Sequence, residues 1–298
     1  MSVIALFGPT ASGKTAVAEV IAARIPAELV SADSMQVYRG LPVLTNQAPA
    51  RLVAVWPLEH EASVGEYQRL AHAAIDEIVA AGRTPILVGG TGLYLRAALA
   101  ELELPPAPAP GARERWERLY DEQGADAAHA ELAERDSGAA AAVHPNDRRR
   151  VVRALELAEA GASLRPDRDR LWGEETRLPS LVFGLDVPKD VLEERIVART
   201  HAMFEQGVEA EVSAALRGRL SSTAAQVMGL REIAELPREE ALEALVVRTR
   251  RYAAYQRKWM RRIPGIIMIG ADRPPGEVAD AVLEVARARQ LVPAHRAG

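Results

Sequence analysis

Val3-Ile4-Ala5-Leu6-Phe7-Gly8-Pro9-Thr10-Ala11-Ser12-Gly13-Lys14-Thr15 opens the chain after Met1 and Ser2 and carries the strongest structural signal in it. Five apolar residues in a row, closed by Gly-Pro, have the length and composition of a buried strand. Gly8 to Thr15 then fits G-x-x-x-x-G-K-[ST]. The glycines let backbone N–H groups turn inward around phosphate oxygens, and the helix that follows aims its N-terminus at the same anion. Lys14 would hold the terminal phosphates and Thr15 a bridging Mg2+. Gly8, Pro9, Thr10, Ala11, Ser12, Gly13, Lys14 and Thr15 are therefore the candidate phosphate-binding set. A helical pattern over residues 15–24 completes the strand–loop–helix context that a chance glycine turn would lack. The loop specifies phosphate and not chemistry; most such loops serve nucleotide hydrolysis or kinase reactions.

Working outward, residues 28–31 and 85–88 read as further strands, and 66–81 and 93–99 as helices. Strands alternating with helices predict a parallel sheet with helices on both faces. The pattern then changes. Residues 104–110 are rich in proline and alanine and read as a linker, and from 112 to about 160 only helical signals occur, over 113–123, 125–135 and 147–160. A strand at 181–185, a long helix at 191–216, a helix at 239–262 and a last strand at 266–269 follow. The expected fold class is α/β: a P-loop parallel-sheet core (1–104, resumed at 181–298) interrupted by an all-helical insertion domain (105–180). The alanine-rich stretch at 138–142 reads as composition alone.

The 298 residues are 48% hydrophobic, enough for a full core. The net charge of -4 opposes a strongly basic nucleic-acid binder, so any such contact must be confined to one local face. The absence of cysteine excludes disulfides, thiolate metal sites and thiol catalysis. Residues 1–7 lack a basic n-region, and no apolar stretch approaches the ~18 residues of a membrane span. A cytoplasmic protein without a membrane segment is expected. His60, His72, His129, His144 and His201 have no partner at metal-ligand spacing and read as structural. Lysine occurs only at 14, 189 and 258, so arginine supplies nearly all the positive charge.

Further motifs narrow the chemistry. Ser31-Ala32-Asp33-Ser34-Met35-Gln36-Val37-Tyr38-Arg39-Gly40 resembles the second motif of tRNA dimethylallyltransferases, and Val88-Gly89-Gly90-Thr91-Gly92-Leu93-Tyr94-Leu95 resembles their third. His144-Pro145-Asn146-Asp147, followed by Arg150, Arg153, Ala154, Leu155 and Glu156, resembles a fourth. Gly207-Val208-Glu209-Ala210-Glu211-Val212 and Gln226-Val227-Met228-Gly229-Leu230-Arg231-Glu232 resemble two more, and residues 250–262 resemble the family's basic C-terminal helix. The matches stand in family order across nearly the whole chain. The resemblance implies that the loop holds the diphosphate of dimethylallyl diphosphate rather than ATP. It implies transfer of the dimethylallyl group to N6 of adenosine 37, beside the anticodon of tRNA, with Mg2+. With no zinc-finger extension and no cysteine, the compact bacterial type is expected, as a monomer.

Asp33 follows the second strand at its carboxyl end, where open parallel sheets bind ligands. From position alone it is a helix cap, a hydrogen-bond partner of a water or group bound to Mg2+, or a base for an adenine amine. The resemblance assigns it as general base, with Thr15 and Arg199 completing the catalytic set and Thr15 as the metal-side residue. Arg199 taken by itself could equally be a solvated helix arginine. The residues expected to meet tRNA are Asp33, Ser34, Met35, Gln36 and Thr91 near the target base, and Gln226, Gly229 and Arg231 beside it. On the helical segment they are Arg148, Arg149 and Arg150, whose charge opposes the macrodipole of the helix they open, and, by resemblance, Arg113. At the C-terminal helix Arg257, Lys258 and Arg261 belong to a run of seven cations, from Arg248 to Arg262, interleaved with Tyr252, Tyr255 and Trp259. Basic residues meet phosphates and aromatics stack on unpaired bases, although Tyr252 and Trp259 could be core.

The chain departs from the family at Val43-Leu44-Thr45-Asn46-Gln47-Ala48-Pro49, where a Gly-Thr-Ala-Lys-Pro-like run is usual. It departs again at Leu52-Val53-Ala54-Val55-Trp56-Pro57, in place of a His-His-Leu-Ile-Asp-like run, and at Leu230 in place of a tyrosine. These changes fall on the wall of the expected tRNA and prenyl pocket. Three other readings compete: a small-molecule kinase, a prenyltransferase of free adenine nucleotides, and an RNA-binding protein without catalysis.

Overall fold

A computed structural model of the chain describes residues 2–104, 109–164, 171 and 173–289. The first compact unit is drawn from Met1–Glu101 and Leu171–Gly298, and the second is Leu102–Arg170. Most of the proline-rich linker (105–108) lies outside the described residues.

The first unit begins with β1 (Val3–Phe7), α1 (Lys14–Arg24), β2 (Ala27–Ser31), α2 (Val64–Ala80), β3 (Thr84–Gly89) and α3 (Gly92–Leu99). The second holds α4 (Ala112–Gln123), α5 (Ala125–Arg135), α6 (Ser137–Ala142) and α7 (Arg148–Glu159). The first resumes with β4 (Ser180–Asp186), α8 (Lys189–Glu205), α9 (Val208–Leu216), α10 (Leu230–Glu235), α11 (Arg238–Met260), β5 (Ile267–Gly270) and α12 (Pro275–Ala288). The strand order is β2-β3-β1-β4-β5 and every pairing is parallel. β1 lies in the middle, buried along its whole length, which is why it reads as an uninterrupted apolar run rather than an alternation. Ile4 and Leu6 pack with Val17 and Ile21 of α1, Leu192 and Ile196 of α8, and Val278 and Val282 of α12. α2 and α3 cover the other face. The α/β sheet with helices on both faces thus follows from the pattern.

In the second unit, Trp116, Leu132, Val151 and Leu155 share a core with Ala128 and Ala139. Glu156 is fully buried on α7, and its carboxylate accepts from Arg113 Nε at 2.8 Å and Arg153 at 2.9 Å.

Three local expectations are corrected. The single helix over 191–216 is two: Gly207, at φ 86°, ends α8 and starts α9, a left-handed conformation glycine adopts at little cost. The stretch at 138–142 is not mere composition, because Asp136 caps α6 by accepting the Ala139 N–H at 2.8 Å. Finally, α12 went unpredicted although Val278, Val282 and Ala286 recur at helical spacing.

Candidate active site

The phosphate loop runs from Gly8, at the end of β1, to Gly13, before α1. Gly13 has φ 87° and Ala11 φ 63°. The second is uncommon for a side chain with a Cβ and costs on the order of 1–2 kcal/mol, so surrounding contacts must hold it. Thr10 supplies them. Its N–H donates to Gln256 Oε1 at 2.7 Å, and its hydroxyl accepts from Arg199 at 2.7 Å. Ser12 Oγ is buried with no hydrogen-bond partner among the described residues.

Lys14 Nζ donates to the Pro9 carbonyl at 2.9 Å. Burial pushes the Lys14 ammonium down to about 8; the Asp33 carboxylate opposes the shift and the Arg199 guanidinium adds to it. Arg199 is likewise shifted below the ordinary arginine range by burial, against Asp33. The three charges therefore share one environment, with two cations and one carboxylate.

Asp33 stands just beyond β2, where its Oδ1 accepts the Met35 N–H at 2.9 Å. The neighbouring Ser34 N–H donates to Thr91 Oγ1 at 3.2 Å. Thr91 follows β3, beside β2 in the sheet, so the two turns leave the same carboxyl edge. Gly89 permits this: a Cβ there would lie 2.0 Å from the Ala32 carbonyl. Lys14, Thr15, Asp33 and Arg199 line one cleft of about 400 Å³.

A further part of the lining comes from the divergent segment at 43–49. Glu211 of α9 accepts both the Val43 and Leu44 N–H groups at 2.8 Å. Gln36 donates to the carbonyls of Thr45 at 3.2 Å and Asn46 at 2.9 Å. Leu44, Thr45 and Asn46 face the cleft as a result, beside Met35 and Met228. Gly229, at φ 99°, packs against Leu44, which a Cβ would approach to 2.7 Å.

The residues expected to meet nucleic acid divide into several groups. Asp33, Met35 and Gln36 line the cleft, and Ser34 and Thr91 hydrogen-bond at its rim. Gln226 is exposed on a short 3-10 turn, and exposed Arg231 pairs with Glu235. Arg257 turns inward to the Val187 carbonyl and Asp186, whereas Lys258 and Arg261 face solvent. In the second unit, Arg148 is held by Asp121 and Glu117, which supply an anion from within the fold. Arg149 and Arg150 are exposed, and Arg113 lies on Glu156. Of the seven cations from Arg248 to Arg262, on α11 and just past its end, Arg248 pairs with Glu232, Arg250 with Glu193 and Arg257 with Asp186.

Sequence reasoning missed Arg195, which lines the cleft from α8, and Gln256 of α11; Tyr252, read as either a base-stacking aromatic or core, lines the cleft as well. Burial raises the Tyr252 hydroxyl well above its usual range, and it sits beside Thr91 and Gln256. The available signal was a glutamine on the apolar stripe of α11 formed by Leu245, Ala253 and Met260. Among the described residues no cluster of three or more His, Cys, Asp or Glu could hold a metal. Mg2+ nonetheless fits, because it is commonly held by one or two protein groups plus substrate phosphates, and Thr15 offers a hydroxyl at the cleft beside the unpartnered Ser12.

Residues 36–263 match the family described as IPP transferase, and residues 1–51 match one described as isopentenyl transferase. The chain belongs to the IPP transferase family. It is 41% identical over 293 residues to a tRNA dimethylallyltransferase of Thermobifida fusca, covering 92% of this chain and 91% of that one. A tRNA dimethylallyltransferase of Streptomyces coelicolor is 40% identical over 279 residues, covering 89% of this chain and 88% of its own. The solved tRNA isopentenylpyrophosphate transferase of Bacillus halodurans superposes with a TM-score of 0.70 at 31% identity, over 97% of both chains. A eukaryotic dimethylallyltransferase acting on tRNA shares the fold, with a TM-score of 0.76 at 22% identity, over 99% of this chain and 81% of its own. The IPP transferase match spans both units and includes both divergent segments, 43–49 and 52–57; of these Leu44, Thr45 and Asn46 line the cleft, whereas residues 52–57, expected on its wall, do not. No helix among the described residues is long and apolar enough to cross a membrane.

The Lys14 environment gives this family member an expected pH dependence. An ammonium with a free-state value of about 8 binds anions below that pH and loses its charge above it. Affinity for inorganic pyrophosphate should hold to about pH 8 and then fall, by up to about tenfold per unit. The Lys14→Arg variant, charged throughout, should lack this break, so titrating both proteins by calorimetry cancels the ionisation of pyrophosphate itself. Parallel curves would remove Lys14 as the source.

Proposed function

We propose that the protein transfers the dimethylallyl group of dimethylallyl diphosphate to N6 of adenosine 37 in tRNA, releasing diphosphate. One observation carries this reading: the phosphate loop with Lys14 and the carboxylate of Asp33 line the same cleft, and Arg199 of that cleft donates to Thr10 of the loop. A kinase can use a loop and a carboxylate in the same way; the IPP transferase match and the tRNA dimethylallyltransferase relatives favour prenyl transfer over phosphoryl transfer.

An adenine N6 amine is a weak nucleophile because its lone pair is delocalised into the ring. Asp33 accepts a hydrogen bond from it, orients the lone pair toward C1 of the allylic group and takes the N–H proton as the N–C bond forms. The C1–O bond breaks at the same carbon, and its electron pair leaves with the diphosphate. Lys14, Arg199 and the loop N–H groups stabilise the charge that accumulates on those oxygens. Mg2+, held by Thr15 and the diphosphate, supplies further neutralisation when bound. Thr91 and Ser34 hold the carboxylate turn at the rim. A base in a stem cannot enter such a cleft, so the target is an unpaired loop adenine turned out of its stack. Exposed Lys258, Arg261, Arg149 and Arg150 offer positive charge to the tRNA backbone. The reading requires neither a membrane nor a second subunit and places the protein in the cytoplasm with its substrate tRNA.

Incubation with unmodified tRNA, Mg2+ and labelled dimethylallyl diphosphate should put label into tRNA at adenosine 37. Label in AMP with none in tRNA would replace this reading by the nucleotide prenyltransferase, and phosphoryl transfer from ATP would replace it by the kinase.

A further inference from the structure

Gln256 is 2% exposed, and both ends of its carboxamide are engaged. Oε1 accepts the Thr10 N–H at 2.7 Å, and Nε2 donates to the Gly90 carbonyl at 2.9 Å. A Cβ on Gly90 would stand 2.0 Å from that Nε2, so a glycine is what admits the amide. Each partner leads to a different half of the site. Thr10 carries the hydroxyl that accepts from Arg199, and it belongs to the diphosphate loop. Gly90 leads into Thr91, whose hydroxyl receives the Ser34 N–H next to Asp33.

We propose that Gln256 is a positioning residue that ties the diphosphate loop to the Gly90–Thr91 turn and so fixes the spacing between leaving-group cradle and base. The inference rests on the transfer reading given above. The chemistry selects the residue type: the loop presents a donor and the turn an acceptor, and a buried neutral amide answers both without the cost of burying a charge. Without it Thr10 N–H and Gly90 O lose their partners, and the strained Ala11 loop loses one of its two anchors at Thr10. A displacement of about 1 Å in such a site costs about 10²-fold in rate.

Two variants test this. Gln256→Met keeps the length and apolar packing but neither hydrogen bond. It should lower kcat by about 10²-fold and pyrophosphate affinity about tenfold, while KM for tRNA stays within about threefold. Gln256→Glu keeps the acceptor for Thr10 but can donate to Gly90 only when protonated, and burial raises such a carboxyl. Its kcat relative to the native protein should therefore rise as pH falls from 8 to 6. A Gln256→Met protein with native kcat and native pyrophosphate affinity overturns the proposal. If that variant does not fold, a Gln256→Glu profile parallel to the native one overturns it instead. The pyrophosphate titration is independent of transfer. A native protein that binds pyrophosphate but never labels tRNA refutes the functional reading, while the Gln256 effect on affinity still decides this one.

Discussion

Replacing Asp33 by asparagine is expected to lower transfer to tRNA by about 10²–10⁴-fold, the usual contribution of a general base, with little loss of pyrophosphate binding. Asparagine keeps the shape of the side chain and an oxygen that can accept the Met35 N–H, so the turn that carries it should persist. What disappears is the capacity to take a proton from N6. One indirect effect must be separated. Asp33 supports the charge of Lys14, so its removal lowers the Lys14 ammonium further below about 8. Binding should therefore be compared at pH 6.5, which favours the charged form of Lys14 in both proteins. Single-turnover rates with pre-bound tRNA then report the chemical step alone. An asparagine variant within tenfold of the native rate would remove Asp33 from the role of base and leave it as a turn former.

Lys14→Met should cost about 10²–10³-fold in kcat, as expected when one preorganised cation that meets developing charge is deleted, and should weaken pyrophosphate binding as well. Stability is expected to move the other way. The native ammonium is buried beside Arg199 and shifted below the ordinary 10.5, so in the absence of ligand the fold holds it at a cost. The sign follows from proton counting. Between about 8 and 10.5 the unfolded chain binds more protons at Lys14 than the folded one, so stability from this group rises with pH through that window and is lowest below it. Methionine removes the cost. The variant should melt no lower than the native protein at pH 7 while transferring almost nothing. A large drop in Tm together with the lost activity would mean that Lys14 supports the fold and that the rate effect is secondary. The pairing of lost function with retained stability is the signature of a charge held for a substrate anion.

Much of the site was legible because its parts are local. The loop from Gly8 to Thr15 is one contiguous segment, and Asp33 and Thr91 each follow a strand by one or two residues. Strand ends of a parallel sheet share an edge, so their convergence on one cleft could be expected from the β–α alternation. The basic helix was misleading for the converse reason. The window from Arg248 to Arg262 shows seven cations with few acids, but Glu232, Glu193 and Asp186 come from elsewhere in the chain and occupy three of them. Arg148 likewise finds Asp121 and Glu117 on α4, 27 and 31 residues earlier in sequence. Acids contributed by tertiary neighbours are invisible to any count along the chain.

The α/β sheet, its phosphate loop and the family are written locally in the chain. These rest on short-range physics: apolar runs that demand burial on both faces, and glycines that alone permit a backbone cradle. Only the tertiary structure decided that a glutamine more than 240 residues away anchors that cradle, that Glu211 shapes the divergent wall, and which arginines stay free for an outside anion. Such pairings depend on which distant groups burial strands without water. A buried donor takes whatever acceptor the packing brings within reach, and no local pattern records that choice.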